Sequence, residues 1–304
     1  MEATGIGAGT AGGIPPSRLQ APSRRYGEKA IQGLLAFCGI LSVLTTTAIV
    51  ISLIGPTIGF FEVVSVGEFF GTEWTPQFEP PSFGVLAIVA GTLNVTLWGM
   101  AFAIPVGLGS AIYLSEYATP RVRRTVKPVL EVLAGIPTVA IGFFAVSFLL
   151  PELIQPIWPD ALHGGAVGKP FMALAASLGI GLLIVPIIAS LSDDAMSAVP
   201  RGLREGAYAM GATKREVSTK VVFPAALSGI AASIVLAASR AAGETMIVVL
   251  AGGSTPNFTL WPNEAVQAMT SYIAVTATGD IPAGSLDYKS IFAVGSLRDR
   301  KSVV

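Results

Sequence analysis

The 304-residue chain is 52% hydrophobic and 12% charged, with a mean hydropathy of +0.68 and Lys+Arg balanced by Asp+Glu at 19 each. A soluble domain carries about twice that charged fraction, near 25%, so the composition excludes a water-soluble enzyme and indicates a polytopic membrane protein. The single cysteine, Cys38, and single histidine, His163, exclude an internal disulfide and a Cys/His metal cluster. No nucleophile–base pair, Walker-type phosphate loop or metal-ligand spacing occurs, and nothing points to nucleic acid or a bound cofactor.

Residues 1–30, rich in Gly, Pro, Ser and Arg, read as a disordered cytoplasmic tail and not as a cleaved leader. Ile31–Gly55 is apolar over more than the roughly 20 residues a crossing requires. Arg18, Arg24, Arg25 and Lys29 precede it and place the N-terminus in the cytoplasm. Residues 56–82 carry Glu62, Glu68, Glu73 and Glu79 without a cation, and so read as an outer loop with interfacial aromatics. A short lead-in and a second span, about Gly91 to Tyr113, follow. Arg121, Arg123, Arg124 and Lys127 mark an inner loop, and a third span runs from about Pro128 to Leu150 with a kink at Gly135 and Pro137. Residues 151–169, with Glu152, Asp160 and a solvated His163, form a second outer loop. The fourth span is Pro170–Leu191 and the fifth Ala225–Ala251, which returns to an acidic outer loop, 253–289.

Of the Lys and Arg residues, only Lys169 and Lys289 fall in outer loops and only Arg240 within a span, an asymmetry that sets the orientation. Ile291–Gly295 begins a sixth apolar run that Ser296–Val304 interrupts after about one and a half turns. That end reads as a truncation. The domain layout is thus a tail, 1–30, and a transmembrane domain, 31–304, with a cytoplasmic loop at 192–224.

The segment Pro200–Pro224 is basic and amphipathic, set between two apolar runs. Pro200 suits a helix start, where no amide donor is needed. Gly211 suits the left-handed position that closes a helix. Thr213 and Glu216 have the spacing of a capping box for a second helix running to Pro224. Two short helices joined at a glycine make a rigid knuckle outside the membrane. Asp193 and Asp194 before it read as first-turn acids at a helix start.

The knuckle carries Glu205, Ala207, Gly211, Val221, Phe223 and Pro224 at the spacing Glu-x-Ala-x3-Gly-x9-aliphatic-x-apolar-Pro. This resembles the EAA loop of ABC-importer permeases, with Gly206 in place of Ala and Phe223 in place of Leu. FFEVVSVGEFFGTEWTPQF, PSFGVLAIVAGTLNVTLWGMAFAIPVGLGSAIYLSEYA and EVLAGIPTVAIGFFAVSFLLP are similar to the C-type permease of high-affinity phosphate transporters. Glu-Trp-Thr-Pro at 73–76 favours the C-type over its A-type paralogue. The resemblance implies an all-α, polytopic transmembrane helical bundle of the MetI-like type, here with five complete spans and a truncated sixth. It also implies the partners: an A-type permease paralogue, an ATPase dimer, a periplasmic or lipid-anchored phosphate-binding protein, and membrane lipid. The chain would then be a transport subunit of a bacterial or archaeal inner membrane, with ATP hydrolysis on its partner. Glu205, Ala207, Tyr208, Met210, Gly211 and Pro224 would make the ATPase contact.

Arg240 and Glu244 lie i, i+4 in the fifth span, where an intramembrane charge costs roughly 2.5–3.5 kcal/mol even on the lenient scale. One reading is a self-neutralising pair. The other, implied by the resemblance, has Arg240 meeting the phosphate anion and Glu244 positioning or competing for it. The face with Gly229, Ser233 and Ala237 leaves room for an anion or a close neighbour. Asn94 and Thr96 are candidates either for the pathway or for hydrogen bonds between helices. A permease for another oxyanion (molybdate, sulfate) and an ion-coupled secondary carrier are the alternative functions.

Overall fold

A computed structural model describes residues 26–157, 169–282 and 284–302. The chain divides into two units, residues 1–52 and 53–304. Within the first, the described residues are helical from Tyr26 and belong to α1 (Tyr26–Phe61), whose Leu34, Leu35, Phe37 and Leu41 are exposed. Residues 1–25 of the expected tail lie outside the described residues.

The end of α1 belongs to the second unit and corrects the first outer loop. The helix continues through Pro56 to Phe61, so only the rest of 56–82 is loop. That remainder is ordered by aromatic packing. A short helix, α2 (Val66–Phe69), is capped by Ser65, and two strands, β1 (Trp74–Thr75) and β2 (Ser82–Phe83), pair antiparallel with Trp74 opposite Phe83. Phe60, Phe69, Trp74 and Phe83 are all buried and meet edge to face.

α3 (Leu86–Ile112) and α7 (Ala173–Ser197) form the centre. Their apolar sequences cannot associate in lipid by excluding water, so close packing must hold them. Small residues allow that approach: Gly99 faces Ser177 and Gly107 faces Ile188. Ile180, Leu183, Ile184 and Ile188 of α7 are fully buried between α3 and later helices. α3 ends in a wide π turn, Tyr113–Tyr117.

The expected kink at Gly135 and Pro137 is a complete break. α4 (Pro120–Ala134) stops there, because Pro137 lacks an amide donor and holds its predecessor out of helical geometry. The apolar helix starts again as α5 (Thr138–Phe144) and runs through Ala145–Ile154 into α6 (Gln155–Ile157). The third helix long and apolar enough to cross is therefore Thr138–Ile157 and not Pro128–Leu150. Residues 158–168, with Asp160 and His163, lie outside the described residues.

After α7 come α8 (Arg201–Ala209) and a second helix built from α9 (Lys214–Glu216), a π turn Val217–Val222 and α10 (Phe223–Ala225). This helix bends by 71° at Ala226 into α11 (Leu227–Ala242). Among the described residues, four helices are long and apolar enough to cross a membrane, or five if this bent pair counts as one.

The fifth span is not continuous over Ala225–Ala251. Gly243 closes α11, and helical structure resumes only at Met246, ending in the turn Val248–Gly252. The loop 253–289 is also more than a loop. Its extended first part packs on α3, where a Cβ at Gly91 would lie 2.3 Å from the carbonyl oxygen of Gln267. It then forms α12 (Met269–Thr278), whose Tyr272 packs on Trp74. The final helix, α13 (Leu286–Ser302), begins before Ile291 and continues through the charged residues expected to stop it.

Candidate functional site

The knuckle forms at the cation-rich end of the second unit. Pro200 precedes α8 with extended backbone, and Gly211 takes φ +83° between the two helices. A Cβ there would meet nothing within 4 Å, so the glycine is required by the left-handed backbone alone. Thr213 accepts from the Glu216 amide at 3.4 Å, while Glu216 accepts from the Thr213 amide at 3.1 Å. Both halves of the expected capping box are present. The second helix runs one residue past Pro224, to Ala225. The wide turn over 217–222 precedes the proline, which has no amide to offer a regular ladder.

The predicted contact residues divide by burial. Ala207 is buried against Val199, Val217 and Val222, and holds the two helices of the knuckle together. Glu205, Tyr208 and Met210 point outward, with Met210 85% exposed, and Pro224 is exposed as well. Tyr208 and Glu205 edge an open cleft of about 380 Å³ together with Ser115, Arg123, Arg201 and Arg204.

The knuckle is clamped to the spans by Arg204, which in the sequence is only one more inner-loop charge. It donates from Nε and Nη2 to Glu116 at 3.3 and 3.1 Å, tying α8 to the end of α3. It also donates to the carbonyls of Met196 and Val199 at 2.7 and 2.6 Å. Met196 is in the last turn of α7, where a helix leaves acceptors unsatisfied, and Val199 lies just beyond its end. Lys214 stands over the Tyr117 ring at 5.0 Å and adds a cation–π contact to the same turn.

A second clamp corrects the reading of Asp193 and Asp194. These acids lie in the last turn of α7, not at a helix start. The negative end of the helix dipole opposes them there, and cations from α4 compensate. Arg123 donates to Asp193 at 2.8 Å and to Ser197 at 2.6 Å, and Lys127 pairs with Asp194. The carboxylate of Asp193 is completely buried. The i, i+4 spacing of Arg123 and Lys127 against an adjacent acid pair was the available signal.

Arg240 and Glu244 do not form the self-neutralising i, i+4 pair of the first of the two readings. The helix ends between them at Gly243, and among the described residues no ion pair joins them. Arg240 is exposed at the end of α11. Glu244 is 7% exposed and turned into the protein, its carboxylate accepting from the Thr245 amide at 3.1 Å and its carbonyl from the Thr270 hydroxyl at 2.7 Å. The face carrying Gly229, Ser233 and Ala237 takes a close neighbour, α7, in place of an anion. Ser233 bonds Ser192 of α7 at 2.8 Å, and Gly229 packs on Ala195. Asn94 donates to the carbonyls of Thr259 and Trp261, and Thr96 bonds its own helix at Thr92.

Residues 103–294 match the family described as binding-protein-dependent transport system inner membrane component. The chain is 30% identical over 276 residues to the probable ABC transporter permease protein YqgH of Bacillus subtilis, covering 90% of this chain and 86% of the relative. It is 32% identical over 287 residues to the phosphate transport system permease protein PstC of Haemophilus influenzae, covering 89% and 88%. Among solved structures, a chain of the MetNI methionine ABC transporter in inward-facing conformations aligns at 19% identity with a TM-score of 0.48, over 72% of this chain and 94% of that one.

Proposed function

Because the chain belongs to the binding-protein-dependent transport system inner membrane component family, we propose that it is the permease through which an ATP-driven importer moves inorganic phosphate inward. The similarity to a phosphate transport system permease over nearly its whole length supports the choice of substrate. The sequence carries no Walker-type phosphate loop, so in this reading the energy comes from ATPase subunits on the other side of the knuckle.

The observation that carries the reading is the construction of that knuckle. Its outward face presents Glu205, Tyr208 and Met210, while its base is fixed by Arg204 to the ends of α3 and α7. A push on the exposed face is therefore delivered to two spans at once. A handle without such clamps would swing and move nothing. In this reading the cation-rich end is cytoplasmic, and the ATPases close on ATP and drive the spans between outward-facing and inward-facing states as rigid bodies. A second, A-type permease completes the pathway, and an external binding protein delivers phosphate.

Arg240 is assigned the anion contact. It stands at the end of α11 on a face that the described residues leave exposed, where a guanidinium partly desolvated by the partner permease would suit a phosphate oxyanion. Glu244 is assigned the turn beside it and not a charge pair, since its carboxylate caps Thr245.

The test is reconstitution of both permeases, the ATPase and the binding protein in vesicles, followed by uptake of labelled phosphate with molybdate and sulfate as competitors. ATP-dependent uptake that phosphate alone competes for is expected. Uptake that persists without the ATPase would make the chain an ion-coupled carrier, and stronger competition by molybdate or sulfate would reassign the substrate.

A further inference from the structure

α4 lies between two helices that are each long and apolar enough to cross a membrane. Ala118 and Thr119 connect it to the turn closing α3, and residues 135–137 connect it to α5. A three-residue link reaches at most about 11 Å, so α4 is held at the membrane surface. One side of the helix is committed, through Arg123 and Lys127, to the acids of α7. The other is not. Arg121 and Arg124 are exposed and carry no ion pair among the described residues. Val122, Val129, Val132 and Leu133 are exposed on the same helix.

An open cavity of about 640 Å³ lies between α4 and the end of α3. Leu114 and Ala118 form its apolar side, Arg124 is its uncommitted cation beside the α7-paired Arg123 and Lys127, and Glu131 is the one acid among its lining residues. Arg121 and the exposed valines lie outside the lining on the same helix. A site for a soluble anion has no use for the apolar wall, nor for apolar side chains exposed on the same helix beyond the cavity. A basic amphipathic helix at a membrane surface matches instead a molecule with an anionic head and a hydrocarbon body.

We propose that this cavity binds the phosphodiester headgroup of an anionic glycerophospholipid from the leaflet bounding this end of the bundle. Arg124 contacts the phosphate with the planar fork that suits it, Arg121 one turn earlier adds charge at the rim, and the exposed valines lie against the acyl chains. The bound lipid then braces α4, and through Arg123 and Lys127 the end of α7 to which the knuckle is clamped.

The experiment is native mass spectrometry of the full chain reconstituted with phosphatidylcholine alone or mixed with phosphatidylglycerol. One retained phosphatidylglycerol per chain is expected from the mixture. R121Q/R124Q lowers its occupancy roughly 30-fold, the attraction of two surface cations, whereas R121K/R124K retains most of it. Equal thermal midpoints show that the variants fold, and R124Q alone serves if the double variant does not. Unchanged occupancy in R121Q/R124Q overturns the proposal. Displacement of the lipid by millimolar inorganic phosphate reassigns the cavity to the free anion, and loss of ATPase association without loss of lipid reassigns it to a protein.

Discussion

Arg123 of α4 and Asp193 of α7 form an ion pair at 2.8 Å in which the carboxylate is fully buried and the guanidinium keeps partial contact with solvent. The asymmetry decides which partner is the dangerous one to remove. Arg123→Ala strands a buried charge at the unfavourable end of a helix dipole, a loss of about 3–5 kcal/mol. Lys127, 3.8 Å from the same oxygen, holds the effect to the lower end. Asp193→Asn leaves a cation that water can reach, so it destabilises less. Thermal unfolding of both variants in detergent checks the order.

Gly91→Ala tests the close contact between α3 and the extended segment before α12. The new Cβ would sit 2.3 Å from a backbone oxygen that no rotamer change can move. Overpacking of this kind costs about 1–3 kcal/mol. A thermal midpoint equal to wild type would show that the segment shifts freely.

Gly211→Ala separates backbone from side-chain effects in the knuckle. Nothing obstructs the added methyl, so the cost is that of a left-handed residue, about 1–2 kcal/mol. Gly211→Asn costs less, because Asn tolerates this region. The expected ranking in thermal stability is Gly, Asn, Ala.

Glu216, in the knuckle that the proposed function puts outside the membrane, sets a pH dependence. Hydrogen bonds from the backbone and side chain of Thr213, and then Lys220, lower its pKa from 4.5 to about 2. A carboxylate with a lowered folded pKa contributes stability that is complete above the unfolded value and is lost as pH falls through the folded one. The cap therefore loosens between about pH 4.5 and pH 2 and is indifferent to pH near neutrality. Carboxyl NMR of labelled glutamate follows the titration directly, and Glu216→Gln removes it.

The knuckle is legible in the sequence because its signals are local: a proline before the helix, a glycine at the turn, and a Thr–Glu pair three residues apart. The acids at 193–194 mislead for the same reason. Two adjacent acids suit a helix start by any short-range rule, and only Arg123 and Lys127, some seventy residues earlier, make them stable at a helix end. Arg240 and Glu244 share a face only if the helix between them is continuous. Gly243 ends that helix, and a tertiary bond from Thr270 holds the backbone beyond it. The break before α5 is half visible, since Pro137 marks it, but whether a proline kinks or interrupts depends on what its neighbours pack against.

The most direct test of the account is the accessibility of position 210 in a chain carrying Met210→Cys and Cys38→Ser, assembled with its partner permease. A membrane-impermeant thiol reagent should label the introduced thiol in inside-out vesicles but not in right-side-out cells, and added ATPase should protect it. Labelling from the outer side, or labelling that the ATPase leaves unchanged, would contradict a cytoplasmic knuckle gripped by an external motor.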